Sequence, residues 1–146
     1  MNILGDTYFM KEAFKEAQKA KEEGEVPVGA VIVSNNIIIA RAHNQVETLN
    51  DPTAHAEMLA ITSAANYLGS KYLENCTIYV TLEPCMMCAS ALNWAKIDKI
   101  VYAAEDEKNG FMKYGKSVLH PKTKLEFGIM GKESATMLKN FFKEKR

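Results

Sequence analysis

A chain of 146 residues, 47% hydrophobic and 25% charged, has the proportions of a folded globular protein and excludes a disordered or fibrous one. Eighteen basic residues against eighteen acidic ones leave no net charge, so no global field draws the chain to nucleic acid and any such contact must use a local patch. Three cysteines exclude a disulfide framework. Apolar runs such as residues 37–40 fall far short of the roughly 18 residues a membrane span needs, and the first residues lack a basic-then-apolar signal pattern, so a cytoplasmic protein without membrane contact is expected.

Met10, Ala13, Phe14, Ala17 and Ala20 recur at helical spacing until Gly24, which predicts an amphipathic helix over residues 7–23. Residues 28–33 and 37–40 are β-rich runs joined through Ser34, Asn35 and Asn36, and asparagine tolerates the positive φ of a tight hairpin. Asp51, Pro52 and Thr53 offer a turn and cap ahead of a helix over 54–68 with Met58, Leu59 and Ile61 to bury. A strand over 77–82, a helix opened by Pro84 over 85–95, strands over 99–104 and 125–130, and a helix over 133–143 with Ala135, Leu138 and Phe142 on one side complete the pattern. Strands alternating with helices predict one α/β/α domain over residues 1–146, with no repeat or linker to divide it.

Two motifs carry the chemistry. In Pro84-Cys85-Met86-Met87-Cys88 the thiols stand three apart at the start of a helix, where both reach one side and the positive helix end favours the thiolate. Alone this pair also fits thiol exchange or half of a structural zinc site. In Thr53-Ala54-His55-Ala56-Glu57 an imidazole and a carboxylate fall in the first turn of another helix. Together His55, Cys85 and Cys88 supply three ligands for zinc and leave a fourth position to water, which zinc activates as a nucleophile. Glu57 is expected to move protons rather than bind metal. His-x-Glu followed by Pro-Cys-x-x-Cys is the known signature of zinc-dependent nucleobase deaminases.

From the first helix to the last the chain resembles the bacterial tRNA-specific adenosine deaminases. The resemblance is carried by Glu25-Val26-Pro27-Val28-Gly29-Ala30-Val31, Asn50-Asp51-Pro52-Thr53-Ala54-His55-Ala56-Glu57 and Tyr79-Val80-Thr81-Leu82-Glu83-Pro84-Cys85. It implies a three-layer cytidine-deaminase-like fold around a five-stranded mixed sheet, one zinc per subunit, a homodimer, and conversion of adenosine to inosine at the wobble position of the tRNA anticodon. It also implies that Asn44 hydrogen-bonds the flipped-out base, that Val28 and Leu82 form pocket walls, and that Asp106 lies beside the anticodon backbone, within reach of a ribose 2′-OH. The chain departs from the pattern at Glu105, where many members have arginine, at Ser90, where glycine is common, and over residues 110–121, which lack the usual small-residue run and the asparagine-histidine pair beyond it.

That divergent stretch belongs to a lysine-rich segment, residues 108–124, in which Lys108, Lys113, Lys116, Lys122 and Lys124 have no Asp or Glu among them and Phe111 and Tyr114 are interleaved. Cations for phosphates and rings for bases suit a single-stranded partner, although a solvated loop has the same composition. Two other readings stay open. One is a free-base or nucleoside deaminase of the guanine or cytosine type, which needs a lid over the same zinc. The other is a non-enzymatic zinc module that binds RNA, with His43 as a fourth ligand; it leaves Glu57 without purpose. Cys76 reads as a buried small hydrophobe, His43 and His120 as surface residues, and Met86, Met87 and Trp94 as core or dimer contacts.

Overall fold

The computed structural model describes residues 5–145; residues 1–4 and 146, which the single-domain reading includes, lie outside them. In chain order the elements are α1 (Asp6–Glu22), β1 (Gly29–Ser34), β2 (Ile37–His43), α2 (Ala56–Leu68), β3 (Cys76–Leu82), α3 (Met86–Trp94), β4 (Lys99–Ala104), β5 (Lys124–Phe127) and α4 (Gly131–Glu144). Two short 3-10 turns, Phe111–Tyr114 and Lys116–Val118, interrupt the connection from β4 to β5. No described helix is long and apolar enough to cross a membrane.

Asn35 and Asn36, at φ 51° and 62°, make the two-residue turn that joins β1 to β2, with Ser34 facing Ile37. Left-handed backbone at both central positions matches the twist of the flanking strands, and asparagine adopts it at low cost. The sheet order is β2-β1-β3-β4-β5; β1 is antiparallel to β2 and β3, and β4 is parallel to β3 and β5.

Alternation along the strands divides the core in two. Ile32, Ile78, Val80, Ile100 and Tyr102 face α2 and α3, whose Ala56, Ala60, Ala64, Ala89 and Leu92 pack onto them. Val31, Val33, Tyr79, Val101 and Ala103 face Phe9, Met10 and Ala13 of α1. α4 lies over β4 and β3, and Ile129 and Met130 leading into it join the α1-side cluster. The result is the expected three-layer arrangement. Small residues set its spacing: a Cβ at Gly29 would collide with backbone atoms of Ala13 and Ala17, so glycine lets α1 settle directly on β1.

Three local expectations need correction. The buried face of α4 is Ser134, the half-buried Leu138 and Phe141, not Ala135 and Phe142, because α4 starts at Gly131 and its stripe follows Ser134, whose hydroxyl donates to the Thr81 carbonyl. The alanines bury the face of α2 while Met58, Leu59 and Ile61 are only half-buried. Asp51 serves its own turn, accepting the Thr53 N–H and hydroxyl at 2.9 and 2.8 Å, and does not cap α2.

Candidate metal and active site

Strand direction explains why residues thirty positions apart meet. β2 and β3 are both antiparallel to β1 and therefore run the same way, and β4 follows β3. The loops leaving β2, β3 and β4 consequently emerge at one edge of the sheet, which is where open α/β sheets place their ligands. The start of β1 lies at that edge too, with Gly29 opposite His43. His55 is the residue just before α2 and Cys85 the residue just before α3; Cys88 lies in the first turn of α3.

His55 Nδ1 is 3.7 Å from Cys85 Sγ and 3.6 Å from Cys88 Sγ. Zinc bonds of about 2.3 Å to sulfur and about 2.0 Å to nitrogen, meeting at a tetrahedral angle, give N···S separations of roughly 3.5 Å. The three donors therefore fit zinc, and all their ligand atoms lie within 4.8 Å of one another. Among the described residues no fourth His, Cys, Asp or Glu joins them. His43 is turned to α1, with Nε2 3.1 Å from Glu23 Oε1 and Nδ1 3.6 Å from Glu16 Oε1, which removes it as a fourth ligand.

The electrostatics suit a cation. Hydrogen bonding from Cys88, opposed by burial and aided by His55, draws the Cys85 thiol down to about 4. The Cys88 thiol is raised by its bond to Cys85 and by burial, so Cys85 is the sulfur that more readily gives up its proton. Hydrogen bonding to Cys85 raises the His55 ring despite burial. Glu57, 4% exposed and in contact with Cys88, is pushed up to about 7 by burial. Burial thus makes the Glu57 carboxyl hold a proton more firmly than an exposed carboxyl does, which suits a group that must both take and give one.

The remaining predicted residues gather at the same edge. Asn44 is buried, and its Oδ1 accepts the Ala56 N–H at 2.7 Å, so it supplies the helix cap that Asp51 does not; its amide NH₂ is left as a donor. Val28 is buried and the half-buried Leu82 packs against the same cluster. Asp106 Oδ1 accepts the N–H groups of Lys108 and Asn109 at 3.2 and 3.0 Å, shaping the loop after β4. Lys108, Lys113, Lys116, Lys122 and Lys124 are all exposed, as is Tyr114. Phe111 is not available for stacking: it is 0% exposed and packs edge-on to Tyr102 in the core. Trp94, 84% exposed, is no core residue, whereas Cys76 is fully buried as expected.

Besides Glu57, four carboxylates are buried, Glu12 and Glu16 on α1 and Glu25 and Glu83 in the loops beside the site, and the last two hold loops in place. Glu25, 1% exposed, accepts the N–H groups of Glu47 and Thr48 and the Thr48 hydroxyl at 3.1, 2.7 and 2.7 Å, tying down the loop between β2 and α2. Glu83, 5% exposed, accepts from the loop after β4. An acidic residue beside a strand's apolar run, in each case within two residues of a proline, was the available signal.

Residues 5–104 match the cytidine and deoxycytidylate deaminase zinc-binding region. The chain belongs to this deaminase family. Within it, the chain is 48% identical to the tRNA-specific adenosine deaminase of Aquifex aeolicus, over 98% of this chain and 97% of that protein. A structure solved in a study of A-to-I editing by tRNA:A34 deaminases at the wobble position of transfer RNA superposes with a TM-score of 0.85 and 41% identity, covering 90% of this chain and 99% of that one. A guanine deaminase from Bacillus subtilis aligns with a TM-score of 0.67 and 43% identity over 70% of this chain and 66% of its own.

Proposed function

We propose that the chain is a zinc-dependent tRNA adenosine deaminase that converts adenosine to inosine at the wobble position of the anticodon, acting as one domain, as a homodimer and in the cytoplasm. The observation that carries the chemistry is the His55, Cys85 and Cys88 triangle of zinc dimensions with the buried Glu57 beside it. The tRNA substrate is supported by near full-length identity to a protein of that name and by the exposed lysines after β4.

In this reading His55, Cys85 and Cys88 hold the metal, which supplies Lewis acidity that makes water nucleophilic at neutral pH. Glu57 takes one proton from the attacking water and delivers it to N1 of adenine, then takes the proton left on the added hydroxyl and hands it to the departing amine as the C–N bond breaks, so that adenosine and water become inosine and ammonia. The Asn44 amide donates to the flipped-out base, Val28 and Leu82 wall it, and Asp106 faces the ribose and backbone. Trp94 and Met86 supply an apolar face for a second copy of the chain.

The zinc-loaded protein is incubated with an anticodon stem-loop carrying adenosine at the wobble position and, separately, with free guanine, cytosine and adenosine. A mass gain of about one dalton in the RNA is expected as NH becomes O. A free-guanine deaminase is the second reading, favoured by the 43% identity to the Bacillus subtilis enzyme. Turnover of a free base alone selects it.

A further inference from the structure

Glu83 closes the connection from β3 to the cysteines, yet neither of its oxygens serves the metal. Oε1 accepts the Asp106 N–H at 3.0 Å and Oε2 accepts the Met112 N–H at 2.9 Å. Backbone bonds run alongside: Glu83 N–H to the Ala104 carbonyl at 2.8 Å, Phe111 N–H to the Pro84 carbonyl at 3.0 Å and Gly110 N–H to the Asp106 carbonyl at 2.8 Å. One β-bridge pairs Cys85 with Gly110. A Cβ at Gly110 would collide with the Glu83 carboxylate and the Asp106 carbonyl, so the loop closes around Glu83 only because residue 110 is glycine.

Loop 105–112 is thus wound on one buried carboxylate that is two residues from Cys85. The loop carries Asp106 and Lys108, is joined to Cys85 through the bridge at Gly110, and holds Lys113 beside Lys108 through the Lys113 Nζ bond to the Lys108 carbonyl at 2.6 Å. With both oxygens engaged by backbone N–H groups, Glu83 is not placed to carry protons. What it controls is where the loop sits relative to the cysteines. Cys85 and Cys88 have their own supports in β3 and α3, whereas residues 105–110 belong to no helix or strand.

We propose that Glu83 is a positioning residue that locks loop 105–112 to the cysteine turn and so sets how tightly RNA flanking the target adenosine is held, more than the speed of the chemical step. The inference rests on the tRNA reading above. A loop fixed before binding spares the complex the cost of ordering it, and a loosened one returns that cost in substrate affinity.

The test is steady-state kinetics of the zinc-loaded wild type, Glu83→Gln, Gly110→Ala and the double variant on the anticodon stem-loop, with zinc content measured for each. Gln keeps one acceptor and turns an NH₂ toward a backbone donor; Ala at 110 pushes the same loop from the other side and leaves Glu83 intact. Each single variant is expected to raise KM about tenfold, the effect of losing about one buried hydrogen bond. kcat should stay within about twofold and zinc at one per chain, with the double variant little worse than either single one because both release the same contact. Loss of zinc, a fall in kcat at unchanged KM, or unchanged KM in both single variants overturns the proposal. If Glu83→Gln fails to fold, Gly110→Ala alone decides the KM outcome. Wild-type turnover of free base only overturns the tRNA reading and this inference with it, whereas wild-type turnover of the stem-loop by unaffected variants overturns this inference alone.

Discussion

Removing the Glu25 carboxylate tests whether the loop between β2 and α2 is held from below. Glu25→Ala deletes the acceptor of two backbone N–H groups and one hydroxyl, at 3.1, 2.7 and 2.7 Å. Glu47 and Thr48 are exposed residues, so water can reach the released donors and each loss falls toward the lower end of the usual range, about 1 kcal/mol, or about 3 kcal/mol in all. For a chain of this size that lowers Tm by about 6–12 °C in zinc-saturated protein followed by circular dichroism. The pH dependence has a definite sign. Burial works against the charged carboxylate, but the Glu47 and Thr48 donors outweigh it and hold Glu25 below the usual carboxylate range. A depressed folded value contributes stability above the unfolded value of about 4.3 and loses it as pH falls through the folded one. The Tm gap between wild type and variant should therefore be constant above about pH 5 and narrow toward about pH 3; taking the gap removes the zinc release common to both proteins. A drop under about 2 °C at neutral pH, or a gap that widens with acid, would refute the reasoning.

Glu57→Ala should keep one zinc per chain while deamination falls about 10²–10⁴-fold; loss of metal and fold together would instead mark a closed structural site. Replacing Lys108, Lys113, Lys116, Lys122 and Lys124 by alanine singly should lower the slope of log affinity against log salt by about 0.7 for each lysine that meets a phosphate, and five unchanged slopes would leave that segment merely solvated. Trp94→Asp should convert dimer to monomer in analytical ultracentrifugation, since a charge on so exposed an indole disrupts an apolar interface but not the core; an unchanged sedimentation coefficient rejects that face as the contact.

Periodicity and turn residues located the four α-helices and five strands of the described residues, though not the two 3-10 turns between β4 and β5, and the asparagine pair at 35 and 36 marked its hairpin by backbone chemistry alone. The metal ligands were legible for a related reason: His55 and Cys85 each stand at the entrance to a helix, a position that caps and prolines announce. Roles that depend on tertiary contact were not. Phe111 looks like a ring for stacking until the loop turns it under Tyr102, and Asp51 looks like a helix cap until Asn44 takes that bond from another segment. Glu25 and Glu83 look like surface charges because a sequence does not show which backbone donors will surround a carboxylate.

Three loops leave the same edge of the sheet, and they carry unequal burdens. The first, after β2, holds Asn44 and His55; the second, after β3, holds Cys85; both lead straight into helices whose first turns complete the site with Glu57 and Cys88. Their geometry is fixed by the metal's dimensions, so little in them can vary without losing the chemistry. The third, after β4, contributes no atom to the metal triangle. It is also where the chain departs from the pattern it otherwise resembles, through Glu105 and residues 110–121. That division follows from the physics: a loop outside the metal shell can exchange its side chains to suit a different RNA surface as long as its anchor to the cysteine turn survives. In this chain the anchor is made by backbone N–H groups onto Glu83. Such groups are present whatever side chains the loop carries, so the third loop can change its text while keeping its place.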